Sequence, residues 1–125
     1  MTLENQIKEH IFENGPMNIA EYMVLALTQP EYGYYMRKDP FGVQGDFTTA
    51  PEISQIFGEL VGAWLVTQWV MMGKPKAALA EIGPGRGTLM ADILRATEKV
   101  KGFHDAVSVH LMELSPTLRQ KQWST

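Results

Sequence analysis

A chain of 125 residues with 45% apolar and 20% charged side chains has the size of one globular domain. Eleven basic against fourteen acidic residues leave a net charge of −3, too mild to steer the protein toward nucleic acid or an anionic membrane. Zero cysteines exclude disulfides, thiolate-held zinc, iron–sulfur clusters and a thiol nucleophile.

No apolar run approaches the ~20 residues of a membrane-spanning helix, so no membrane insertion is expected. Residues 1–10 carry neither a secretory signal nor an Arg-rich transit pattern, and a cytoplasmic location is the expectation that follows. The first helix places Leu3, Ile7 and Ile11 on one face and stops at Asn14-Gly15-Pro16. Asn18 with Glu21 forms a capping box for a second helix that runs to about Thr28. From Pro30 to Ala50 the periodicity breaks, with tyrosines, glycines and prolines mixed. A stretch of that length without regular structure leans toward function. Thr49 with Glu52 predicts a capping box for a third helix reaching about Met72. Its stripe of Ile53, Ile56, Phe57, Leu60, Val61, Trp64 and Leu65 is expected to face the core.

After Lys74-Pro75 the pattern changes. The apolar run Ala77–Ile82 reads as a buried parallel strand, and Leu89, Met90, Ile93 and Leu94 as a helix over 88–100. Ala106–Leu114 reads as a second strand, with Ser115 and Pro116 opening a last helix. Strand, glycine turn, helix, strand is a right-handed βαβ unit. The fold class is therefore α/β: a helical region over 1–74 with a Tyr/Gly-rich loop, then the start of a Rossmann-like domain over 75–125.

The turn between the first strand and its helix is Glu81-x-Gly83-x-Gly85-x-Gly87. Glycines there let the backbone turn tightly and approach a ligand without a Cβ in the way. The dinucleotide pattern G-x-G-x-x-G would need glycine at Thr88, and the third glycine falls one residue early. That displacement favours a nucleoside without a pyrophosphate. Glu113, near the end of the second strand, is placed to accept hydrogen bonds from both ribose hydroxyls. His10, His104 and His110 show no metal-ligand spacing, and no metal is expected.

Glu81-Ile-Gly-Pro-Gly-Arg-Gly-Thr-Leu-Met90 with Met112-Glu-Leu-Ser-Pro116 resembles the class I S-adenosylmethionine-dependent methyltransferases. Three upstream blocks narrow the resemblance to the MidA-type family: Gly15-Pro-Met17, Pro30-Glu-Tyr-Gly-Tyr-Tyr35 and Gly45-Asp-Phe-Thr-Thr-Ala-Pro-Glu-Ile-Ser54. That family includes an arginine methyltransferase of mitochondrial complex I assembly. The resemblance implies S-adenosyl-L-methionine as cofactor and a protein substrate such as a respiratory-complex subunit. It places Glu81, Gly83, Pro84, Gly85 and Gly87 on the methionine end and ribose, and Glu113 on the ribose hydroxyls. Asp46, with Glu52 a weaker second, would face the acceptor guanidinium. The family's sheet has seven strands, and two are present, so the chain resembles an N-terminal fragment whose sheet is incomplete at the C-terminus. Two alternatives stay open: a nicotinamide-dependent Rossmann oxidoreductase, and a cofactor-binding assembly factor without transfer activity.

Overall fold

The computed structural model describes residues 2–37 and 47–125. Gly45 and Asp46, the first two residues of the Gly45–Ser54 block, therefore lie outside the described residues. Helix α1 (Leu3–Asn14) starts where the Thr2 side chain accepts from the Asn5 amide, and it ends at Gly15 with φ 86°. Helix α2 (Ile19–Thr28) carries the expected capping box in full. Asn18 accepts from the Glu21 amide at 2.9 Å, and Glu21 accepts from the Asn18 amide at 3.0 Å.

The third predicted helix is two pieces, and one further turn precedes them. A single turn, α3 (Tyr34–Arg37), sits in the stretch expected to be irregular. Another turn, α4 (Ala50–Ile53), precedes the long α5 (Gln55–Met71). The Thr49–Glu52 capping box does not form. Thr49 makes no side-chain cap, and extended Ser54 caps α5 instead, its hydroxyl accepting from the Ile56 amide. Glu52 is drawn elsewhere by partners 34 and 36 residues away, Arg86 and Thr88.

Strand β1 (Ala77–Ile82) leads through the glycine turn into α6 (Thr88–Thr97) and the short α7 (Phe103–Ala106). Strand β2 (Val107–Met112) then pairs with β1 in parallel, Ala77 opposite Val107 and Ile82 opposite Met112. Helix α8 (Pro116–Gln122) follows, with Ser115 as its cap. The parallel βαβ unit is the one expected from the sequence.

The core lies behind this unit. Trp69, Met90, Ile93, Phe103 and Leu118 are buried, with Trp69 edge-on to Phe103 at 5.2 Å between ring centroids. The Trp69 indole N–H donates to the Pro75 carbonyl at 2.9 Å, which fastens the end of α5 to the approach of β1. The apolar stripe of α5 does not face this core. Ile53, Ile56, Leu60 and Trp64 are all exposed, and the buried residues of α5 are Gly58, Gly62 and Trp69. Helix α6 packs on the glycine face because only there can the two backbones approach closely. A Cβ at Gly58 would stand 2.5 Å from the Asp92 Cβ, and one at Gly62 would stand 3.3 Å from the Ile93 backbone. Among the described residues no helix is long and apolar enough to cross a membrane.

This packing fixes a stability test. Gly58→Ala is expected to lower the unfolding free energy measured in urea by an overpacking cost of about 1–3 kcal/mol, despite alanine's better helix propensity. Gly62→Ala should cost less. Equal or higher stability of Gly58→Ala would contradict the close α5–α6 contact.

Candidate functional site

Three residues of the turn take left-handed backbone angles: Gly83 at φ 68°, Gly85 at 58° and Gly87 at 86°. Such angles suit glycine and strain any side chain, which is why this sequence turns here between β1 and α6. A Cβ at Gly83 would meet nothing within 4 Å, so open space lies over the backbone at that point.

Gly85 is held through both of its backbone polar groups. Its N–H donates to Glu113 Oε2 at 3.3 Å, and its carbonyl accepts from Gln122 Nε2 at 2.7 Å. Glu113 Oε1 also accepts from the Ser115 amide at 2.9 Å. Glu113 thus ties the turn to the start of α8 and keeps acceptor capacity on both oxygens, since a carboxylate offers about four lone-pair sites. Gln122 was not legible as a site residue, being one of several polar residues on α8.

Two cavities share Gly83. The first, about 210 Å³, lies among Thr49, Glu52, Glu81, Pro84, Arg86 and Thr88. The second, about 270 Å³, lies between Thr28 and Tyr35 on one wall and Ile82, Met112, Glu113 and Leu118 on the other. Glu81, Gly83, Pro84, Gly85 and Glu113 are therefore brought around one turn, while Gly87 backs onto Gln122. Among the described residues there is no cluster of His, Asp and Glu that could hold a metal ion.

Charge is unevenly settled in the first cavity. Thr88 Oγ1 donates to Glu52 Oε1 at 2.7 Å, and Arg86 Nη1 stands 3.7 Å from Glu52 Oε2. Glu81 has no such help: its Oε2 is buried without a hydrogen-bond partner. Burial raises the Glu81 carboxyl above the ordinary carboxylate range. A buried acceptor of this kind suits a cationic or N–H-bearing group.

The chain resembles known proteins along most of its length. Residues 60–125, just over half of it, match the family model described as "Putative S-adenosyl-L-methionine-dependent methyltransferase". The chain belongs to this family. Among curated relatives, the Drosophila melanogaster protein arginine methyltransferase NDUFAF7 homolog, mitochondrial, is 52% identical over 97% of this chain and 28% of its own length. The human protein arginine methyltransferase NDUFAF7, mitochondrial, is 49% identical over 90% of this chain and 26% of its own. The chain thus spans about a quarter to three-tenths of these relatives. A crystal structure of a COG1565 superfamily member from Burkholderia thailandensis, bound to S-adenosyl-homocysteine, superposes with a TM-score of 0.80. It is 27% identical and matches 98% of this chain and 32% of its own.

One expectation falls. The cytoplasmic location read from residues 1–10 is contradicted by these relatives, which are named as mitochondrial. It had rested on a missing targeting pattern, and an absence carries no address. For this family member, Glu81 offers a direct physical test. A raised carboxyl opposes folding once pH exceeds it, so its cost is absent at low pH and present at neutral pH. Glu81→Gln should therefore unfold at a higher temperature than wild type at pH 7 without ligand. The gain should shrink as pH falls into the carboxyl range, followed by thermal melts across pH 4–8. A lower midpoint at pH 7 would mean that the Glu81 charge is compensated after all.

Proposed function

We propose that this protein transfers the methyl group of S-adenosyl-L-methionine to an arginine side chain of another protein. The observation that carries the reading is the pairing of two carboxylates around Gly83. Glu81 lines one cavity and has a buried, partnerless oxygen, and Glu113 lines the other with a held carboxylate. A ligand with an ammonium at one end and a ribose diol at the other would satisfy both. Glu81 takes the ammonium, Glu113 accepts from the ribose hydroxyls, and the bare Gly83 backbone lets the ligand lie close.

When bound, the cofactor supplies a methyl group already activated by its positively charged sulfur. Transfer breaks the S–CH₃ bond, forms an N–CH₃ bond and releases one guanidinium proton. The protein's task is to hold donor and acceptor in line. A guanidinium with a pKa above ~12 also calls for carboxylates that orient it and take its proton. Glu52 stands in the first cavity and already faces one guanidinium, that of Arg86, for which an acceptor arginine would compete. Asp46 is proposed as a second such carboxylate on the sequence motif alone. A subunit of a respiratory complex is the substrate that the family resemblance favours.

The family matched and the ligand of the Burkholderia structure favour this reading over a nicotinamide oxidoreductase. The experiment is methyl transfer from labelled S-adenosylmethionine to arginine-containing protein substrates by the full native chain. Label on arginine is the expected result. Gly85→Val should abolish binding, and Glu113→Ala should cost roughly 1.5–3 kcal/mol of cofactor affinity. Binding without transfer to any protein would favour the non-catalytic assembly factor; no binding would remove the proposal.

A further inference from the structure

The second cavity has a wall that the βαβ unit does not supply. Opposite Glu113 and Met112 stand Tyr35 and Thr28, both from the N-terminal helical region. Their placement is built. The Gln29 side chain accepts from the Glu31 amide at 2.8 Å and from the Tyr32 amide, closing a tight turn after α2. The Gly33 amide donates to the Gln29 carbonyl at 2.7 Å. A Cβ at Gly33 would stand 2.6 Å from Gln29 backbone atoms, so this turn admits no side chain there.

The turn launches α3 with its aromatic residues fixed in a chain. Tyr35 lies edge-on to Tyr34 at 5.1 Å, and Tyr34 lies edge-on to Phe47 at 6.0 Å. Phe47 in turn precedes Thr49 and Glu52 of the first cavity. The Thr28 hydroxyl is spent on the Val24 carbonyl at 2.6 Å, which leaves Tyr35 as the polar, π-bearing group of that wall.

We infer that Tyr35 is a cofactor-binding residue that holds the nucleoside half of the ligand against the glycine turn. The inference rests on the proposed S-adenosylmethionine site and assigns one more residue to it. A nucleoside offers a flat π face and hydroxyls, and a tyrosine offers a ring to stack on and a phenol to bond with. Ile82, Met112 and Leu114 supply the apolar floor, and Glu113 the ribose acceptor. The aromatic ring completes a pocket in which the base is gripped on two sides. The N-terminal helices are then one wall of the site.

Calorimetric titration of the full native chain tests this with two probes, S-adenosylhomocysteine and 5′-methylthioadenosine, the second lacking the amino-acid end. Tyr35→Ala should weaken both by the same factor, about tenfold or more, the loss that one base-stacking ring produces. Tyr35→Trp, which keeps a ring, should stay within about threefold of wild type on the same grounds. Glu81→Gln should weaken S-adenosylhomocysteine alone. Ligand-free thermal melts check folding, and Tyr35→Leu carries the test if the alanine variant unfolds. Wild-type affinity of the folded Ala or Leu variant for methylthioadenosine would overturn the inference and leave the proposed function intact. Failure of wild type to bind either probe would instead remove the proposed site itself.

Discussion

The backbone of Gly85 is clamped between two parts of the chain that lie far beyond it in sequence. Glu113 accepts from its N–H, Gln122 donates to its carbonyl, and Thr125 Oγ1 donates to the next carbonyl, of Arg86, at 2.9 Å. These bonds hold a run of left-handed glycines that would otherwise sample many conformations. The proposed site is built around that fixed turn: Glu81 before it, Glu113 across it and the amino end of α6 after it. In the proposed site Glu113 serves twice, as the fastener of the turn and as the ribose acceptor. Such double use explains why a carboxylate, with its four acceptor sites, stands there and not an amide.

The other constraint is the glycine face of α5. By bringing α5 against α6 it sets the position of Thr88 at the head of α6, and hence of Glu52, which bonds to it. The long apolar face of the same helix is left uncovered in these 125 residues, with Leu60 66% exposed and Trp64 59%. Ile82, at the end of β1, is 81% exposed. Large apolar side chains exposed in this number are common where further structure or a partner covers them.

The βαβ unit and its turn were legible because two local signals agree there: a continuous apolar strand and glycines at fixed offsets before a helix. The Asn18–Glu21 box was legible for the same reason, since both partners lie within one turn. Thr49–Glu52 has the same signature and failed, because Glu52 found Thr88 and Arg86 in space, and spacing along the chain says nothing of such partners. The stripe on α5 misled in a related way. Periodicity shows which face is apolar, and close packing selected the face that is small. Glu113 was singled out by its offset to the turn and Glu81 by the family resemblance, whereas Tyr35 and Gln122 reach the turn only through the fold.

In the proposed site Glu113 binds the ribose diol of an S-adenosyl ligand. A double-mutant cycle tests it, with one change in the protein and one in the ligand. The affinities of wild type and Glu113→Gln are measured by calorimetry for S-adenosylhomocysteine and for its 2′,3′-dideoxy analogue. If Glu113 bonds the diol, removing the hydroxyls weakens binding to wild type by tenfold or more, about 1.4 kcal/mol, and weakens the variant far less. If the hydroxyls contribute equally to both proteins, Glu113 only fastens the turn, and the ribose lies elsewhere.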